Sequence, residues 1–552
     1  MKKAGWNGLI LCLVFAFLHC SGCRPHAENR KIDISVAMLN PPGTLNPITA
    51  RDSSSREITD ILYRGLIDWN EKWEPFPVCA REVPSLENGG LVKKSARSLK
   101  LNFLLNPVVR WSNGQYLEST DFLFFYELER SPGNEGLNEE LKIVDTMVTM
   151  GSERLETGIR GLDPRSMTYL KPLPRSVLEA QVYKNPRSFF TEPVAFQNVV
   201  NGPFIVGEST VKNEKILSLK LYPNPEYYRV KPGLKGVLVK FYTTPDAFES
   251  DLFAGNHDVY PFLTFEEGQK LSKNKDYTLF VTPGTSMDAV FFDTKSAVFA
   301  HKEVRKAFAS GFDPAVITKT IYEGQVSPAR SWLSERHADF VPAFESITSN
   351  QKKAFECPKN AGWQREGDRG WSRKKENLAV TIFCDDEKGH QAIAAHIREN
   401  WERMGIQVKE EKAPQSRFRE RLLALIQAGT YPEVIIATTD VPPWAQASSL
   451  FSGRAVPDEK NGALGLNLGR WNPGENEALC NAIGEEFNRE KRKDLARVQQ
   501  ELVAEEVPLV PLFFRPKVSA AKKHVQHFSP RGFGSTLWNI EEWRIEPEKA
   551  RK

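Results

Sequence analysis

The sequence lacks the short motifs that mark many enzymes. It contains no G-x-S-x-G elbow, no H-E-x-x-H, no phosphate-cradling G-x-x-x-x-G-K-[ST] and no G-x-G-x-x-G. A hydrolase would need a convergent nucleophile and base that no such pattern supplies, so an enzyme is disfavoured, although a fold does not forbid one. Histidine is scarce, at nine residues. His390 and His396 lie six apart, which on a helix turns them about 240° from one another and keeps them from sharing a metal. His524 and His527 are closer in sequence but fall near an expected terminal strand, so no metal site and no cofactor is expected. Asp385-Asp386 reads as a solvated loop after a strand.

Charge of one sign is also missing. The formal net charge is +4, and it falls to about +2 once Lys2 and Lys3 are set aside with a leader. Basic residues alternate with acidic ones and form no aromatic-basic block, so nucleic acid is not an expected partner. The one long apolar run, Leu9 to Leu18, is too short to span a bilayer and follows two lysines. It reads as the core of a signal peptide over residues 1–22. The small residues Ser21 and Gly22 then lead into Cys23, as at a bacterial lipoprotein cleavage site, so Cys23 is expected to carry lipid on a tether over 23–31. A plain secreted protein cut near the same place is the alternative.

Cysteine is sparse beyond that point, with Cys79, Cys357, Cys384 and Cys480 remaining. An exported chain permits disulfides, and four cysteines allow three complete pairings. Cys357 and Cys384 fall within one expected lobe and are the favoured bridge; free buried thiols are the alternative. Roughly 530 mature residues exceed what one core usually holds, so two or three lobes are expected.

The remaining pattern is alternating strand and helix. Residues 31–38 and 235–242 read as strands, as does 216–221, while 53–66 carries apolar residues at helical spacing. Strand 378–384, helix 389–404 and strand 406–409 form a βαβ unit, which belongs to a parallel sheet covered by helices. A charged helix over 485–505 leads through Pro508 and Pro511 into an apolar strand at 512–514. Trp111-Ser112-Asn113-Gly114 makes a polar turn before a helix, with Ser119 placed to cap it and Asp121 suited to its positive end.

The stretch Trp111 to Glu127 resembles the W-S-D-G-x-P-x-x-A-x-D-V-x-F-S block of family 5 extracellular solute-binding proteins, through Trp111, Ser112, Gly114, Asp121 and Phe124. Tyr116 replaces the proline of that block. Further segments resemble the family in the same order: Thr44 to Pro47 with Leu62 to Leu66, Asn201 to Phe204 with Asn224 to Tyr228, Leu252 to Val259, Val304 to Gly324, Asn360 to Trp363, and Pro508 to Pro511. The resemblance covers residues 32–540. It implies an α/β, two-lobed Venus-flytrap of class II type with an extra small domain. Lobe I would take 32–75, 200–282 and 500–545, the small domain 76–199, and lobe II 283–499.

By the same resemblance the chain is the receptor of an ABC importer. It would be monomeric, lipid-anchored on the periplasmic or extracytoplasmic side of the cell membrane, and would deliver peptides to permease subunits. Two loops would touch ligand. One is Arg51-Asp52-Ser53. The other, Thr438-Thr439-Asp440 to Trp444, stands where relatives carry W-x-x-D-x-x-D-P. Asp440 matches the first aspartate of that pattern, Ala437 replaces the tryptophan, and Pro443 stands where the amino-anchoring aspartate belongs. A non-peptide solute, such as a metal chelate or sugar, and a surface interaction lipoprotein remain as alternatives. A cavity of roughly a few hundred Å³ between lobes would separate a receptor from the latter.

Overall fold

Two unusually long strands, Tyr277–Phe292 and Leu509–Lys522, tie the molecule together. The computed structural model describes residues 31–95, 98–131, 141, 143–160, 170–185, 189–190, 199–344, 363–365, 371–373, 376–443 and 445–546. Cys23, Cys357 and Trp444 lie outside them. The ten strands of the main sheet are numbered here in chain order: β1 Ile34–Leu39, β2 Phe204–Lys212, β3 Lys215–Pro223, β4 Val237–Tyr242, β5 Val259–Leu263, β6 Tyr277–Phe292, β7 Ala379–Asp385, β8 Gln407–Ala413, β9 Val434–Asp440 and β10 Leu509–Lys522. Their spatial order is β8-β7-β9-β6-β10-β5-β1-β4-β3-β2.

The first half of β6, Tyr277 to Pro283, pairs with Lys522 to Pro516 of β10. The second half pairs with β9 on one side, Ser286 opposite Asp440 and Phe292 opposite Val434, and with Phe514 to Leu509 on the other. The register of β6 against β10 shifts between Pro283 and Met287 and again after Asp288. Such extra residues bend a strand and raise its twist. The bend separates the two halves of the sheet, and each half carries one lobe of this mixed α/β fold.

Alternation along β6 shows why its end, Ala289 to Phe292, is apolar at every position. Met287, Ala289 and Phe291 join one core with Phe383 and Ile435, while Val290 and Phe292 join another with Ile382 and Val434. A strand covered on both faces needs an unbroken apolar run. The expected βαβ unit is present: β7 and β8 are parallel, and the helix Lys388–Arg403 connects them. In the other lobe, Ile34 and Val36 share a core with Leu99 and Phe103 of a four-stranded antiparallel sheet, ordered 91–95, 98–104, 154–160, 144–149. The small sheet therefore packs onto the first lobe rather than forming a separate core.

Three readings are corrected here. Ser119 does not cap the helix Ser119–Glu129: Glu118 occupies that position, Asp121 completes the capping box, and the Ser119 hydroxyl donates to the Gly151 carbonyl at 2.7 Å. Asp121 is more central than a dipole partner, because its buried carboxylate also accepts from Trp111 Nε1 at 2.9 Å and from Arg175 N at 3.0 Å. Cys384 is a free thiol, fully buried on β7 in the second lobe's core, so it makes no bridge to Cys357. Burial on a strand covered by a helix leaves it a small apolar side chain, and it pushes the thiol pKa up to about 11. Asp385 is not a solvated loop residue; it ends β7, is 7% exposed, and meets His390 Nδ1 at 2.6 Å.

Candidate functional site

A cavity of about 310 Å³ opens where both halves of the sheet meet. Ala50, Ser53, Arg56, Glu57 and Asp60 reach it from the first lobe's helix Ser53–Leu62 and the loop before it. Thr285, Asp440 and Pro442 line it from the second lobe, and Lys517 comes from the crossing strand β10. The volume sits at the small end of ligand pockets.

The helix start explains why only part of the first predicted loop faces the cavity. Asp52 is the N-cap of that helix, accepting from Ser55 N at 2.8 Å and Ser55 Oγ at 2.6 Å. Its carboxylate is therefore used locally, as Asp commonly is at a helix start. Ser53 lines the cavity, whereas Arg51 and Asp52 do not.

Of the predicted residues on β9, only the one at the strand end reaches the cavity. Thr439 is buried, with its hydroxyl unpaired among the described residues. Thr438 Oγ1 donates to Asp288 Oδ1 at 2.6 Å. Neither lines the cavity. Asp440, exposed at the strand end, does, and it accepts from Thr285 Oγ1 at 2.5 Å.

Sequence reasoning missed the other charged groups of the cavity. Glu57 is 1% exposed and accepts from Ser535 Oγ at 2.6 Å and Thr536 N at 2.7 Å. Burial nevertheless pushes its carboxyl above the ordinary range. Lys517 is half-buried, and burial lowers its pKa, with Glu57 and Asp440 opposing and Arg531 assisting. Asp60 pairs with Lys171 at the rim. The cavity thus holds three carboxylates and three cations, a wall suited to a ligand bearing both signs of charge.

Behind β9 lies a second, buried polar cluster. Asp385, Glu387 and His390 bring metal-type donor atoms within 4.8 Å of one another. Arg515 stands among them, with Nη2 at 2.5 Å from Glu387 Oε2 and 3.1 Å from His390 Nε2, and Nε at 2.7 Å from Asp288 Oδ1. A guanidinium thus already supplies positive charge beside Glu387, His390 and Asp288.

Residues 73–455 match the model of bacterial extracellular solute-binding proteins, family 5 Middle. The oligopeptide-binding protein OppA of Bacillus subtilis (strain 168) is 22% identical over 553 aligned residues, covering 93% of this chain and 94% of that protein. The periplasmic murein peptide-binding protein MppA of Escherichia coli (strain K12) is 23% identical over 398 residues, covering 67% and 68%. Two solved structures share the fold: the oligopeptide-binding protein AppA from Bacillus subtilis in complex with a nonapeptide (TM-score 0.62, 18% identity, 93% and 99% coverage) and MppA in its unliganded open form (TM-score 0.75, 17% identity, 94% and 98%). These relatives are binding proteins. With a match spanning well over half of its length, the chain belongs to the family 5 bacterial extracellular solute-binding proteins.

Proposed function

We propose that this protein is the receptor of an ABC importer and captures peptides between its two lobes, outside the cytoplasm, while a lipid on Cys23 holds it to the membrane. The observation that carries this reading is the interlobe cavity, where Asp440 from the second lobe faces Lys517 and the Glu57 region across a space of about 310 Å³. A zwitterionic peptide needs a carboxylate for its ammonium and a cation for its carboxylate. Asp440 is the one predicted carboxylate that reaches the cavity from the second lobe, so it is assigned to the ammonium. Closure about the β6–β10 crossing would desolvate that pair. Extended backbone would contribute hydrogen bonds that are indifferent to side chains. Noncovalent capture leaves no catalytic role for any of these groups, and permease subunits would receive the ligand.

The test is titration of a mixed short-peptide pool, with free or acetylated amino ends, into the native protein and Asp440→Asn. Free ends should bind about tenfold or more tightly than acetylated ends, and the variant should lose that preference. Equal binding of both pools by the native protein would remove Asp440 from the site. Binding of neither would favour a non-peptide solute, for which Pro443, in the place of the relatives' second aspartate, is the supporting observation.

A further inference from the structure

The three carboxylates and three cations of the cavity balance in number, yet they are not equally free to meet a ligand. Glu57 is 1% exposed and both of its oxygens are occupied, Oε1 accepting from Thr536 N at 2.7 Å and Oε2 from Ser535 Oγ at 2.6 Å and Leu537 N at 3.1 Å. It has little left to offer. Asp60 is paired with Lys171, so that carboxylate and that ammonium neutralise one another. What remains is Asp440 against Arg56 and Lys517.

Neither of these two cations forms an ion pair among the described residues. Arg56 stands on the helix Ser53–Leu62, where the acid one turn further on is Asp60, the usual position for a helical pair, but Lys171 already holds it. Lys517 Nζ donates to the Gly534 carbonyl at the long distance of 3.5 Å and to nothing else among the described residues. Both side chains are half-buried, so they keep accessible surface in the cavity while losing part of their hydration. Burial holds the Lys517 pKa below the ordinary lysine value even though Glu57 and Asp440 oppose it, which is how an ammonium responds when its counter-charge is inadequate. Desolvated charges are ordinarily paired. Two unpaired cations therefore mark places where anionic groups of a ligand belong, and the free charge of the site is one carboxylate against two cations.

We infer that the ligand of this site is a short acidic peptide, with its ammonium on Asp440, its terminal carboxylate on Lys517 and its acidic side chain on Arg56. The inference rests on the reading of the cavity as a peptide site. Asp440 and Lys517 are near enough for their charges to act on one another, which suits the two ends of a short backbone. Arg56, on the first lobe's helix, is left for the side chain. A neutral peptide would satisfy Asp440 and one cation and leave the other bare; a basic one would bring a further cation beside it. The volume of about 310 Å³ restricts the occupant to a few residues. Because Asp440 belongs to the second lobe and Arg56 to the first, such a ligand would also bridge the two lobes.

The experiment titrates the dipeptides Ala-Glu, Ala-Gln and Ala-Lys into the native protein, Arg56→Gln, Lys517→Met and Lys517→Arg. Ala-Glu and Ala-Gln have nearly the same shape, so their comparison isolates the charge. The native protein should bind Ala-Glu about tenfold or more tightly than Ala-Gln, with Ala-Lys weakest. Arg56→Gln should bring Ala-Glu down to the level of Ala-Gln and leave Ala-Gln within about twofold of its native affinity, which also reports that the variant is folded. Lys517→Met should weaken Ala-Glu and Ala-Gln alike by about tenfold or more, and Lys517→Arg, which keeps the charge, should recover most of that loss. Native protein that binds Ala-Glu and Ala-Gln equally would overturn the inference and leave the peptide reading standing. A preference for Ala-Glu that survives intact in Arg56→Gln, or affinities unmoved in Lys517→Met, would overturn it as well. Native protein that binds none of the three dipeptides would remove the peptide reading of this cavity and the acidic ligand with it.

Discussion

Arg515 sits at the register break of the crossing strands, between Phe514, which pairs with Met287, and Pro516, which pairs with Pro283. Its guanidinium reaches into the second lobe and bonds Asp288, a carboxylate 1% exposed that is otherwise held by Thr438 and His390. The informative perturbation is Arg515→Met, which keeps an apolar stem of similar length and removes the charge. Breaking a buried pair from one side costs about 3–5 kcal/mol, because the remaining charge stays desolvated. Here the Arg515 side chain is 25% exposed and Asp288 keeps two other partners, so about 2–3 kcal/mol is the better expectation. For a lobe of this size that corresponds to a fall of about 4–12 °C in melting temperature. Calorimetric melting of the two proteins measures it. Burial raises the pKa of Asp288, but His390 and Arg515 outweigh that and hold it below the usual value. A depressed carboxylate contributes stability above its unfolded pKa, about 4, and loses it as pH falls through the folded value. The deficit of the variant should therefore be full at pH 7 and shrink below pH 4. Adding Asp288→Asn should return part of the loss, since no unpaired charge then remains. A melting change under about 1 °C at pH 7, or a larger deficit in the double variant, would refute the reasoning.

Burial works against a charge on His390, yet Asp288 and Asp385 outweigh it and hold its pKa at about 9, with Glu387 and Arg515 also facing the ring. That stability is full below the unfolded pKa, about 6.5, and disappears as pH rises through 9, so melting temperature should decline across pH 7–9 more steeply than in His390→Asn; parallel profiles would contradict this. Trp111→Phe removes the donor to Asp121 and should cost about 1–2 kcal/mol, read as a lower urea midpoint, with an unchanged midpoint counting against the bond. Cys23→Ser should move the protein from the membrane fraction to the soluble one, and unchanged partitioning would end the lipoprotein reading.

Elements with a clear period were legible in the sequence, and elements that change environment along their length were not. Strand β7, its helix and β8 were placed within a few residues because the apolar pattern there switches once from period two to period 3.6. Of β10 only 512–514 was legible, although the strand runs from Leu509 to Lys522. Arg515, Pro516 and Lys517 interrupt its apolar run, and an interruption by two cations and a proline reads as a strand end. The structure shows the opposite: the strand continues because those residues stand at the bend, where neither lobe's core covers them. The first helix posed the same difficulty. Its apolar positions 58, 61 and 62 mark the buried face, and Glu57, next to that face, reads as its polar edge. It is buried because the loop at Ser535 to Leu537 closes over it.

The same distinction explains which site residues could be found. Asp440 came from a resemblance in a motif, and it lies at the strand end where the motif placed it. Asp52 came from the neighbouring motif, but a helix start claimed its carboxylate. Motif matching transfers position along the chain and carries no information on which partner consumes a side chain. The residues missed altogether, Lys517 and Glu57, violate a local rule, as a cation within an apolar strand and an acid under a loop. Such violations destabilise a fold unless something recovers the cost, and they concentrate at functional sites. Here both line the same cavity. Arg515 fastens the crossing strand to the second lobe, and two residues further Lys517 lines the cavity. The strand that forms the bend thus also carries a wall of the site. Any rotation of the second lobe about that bend moves Asp440 relative to Lys517, which links closure to the spacing of the charges that a ligand would bridge.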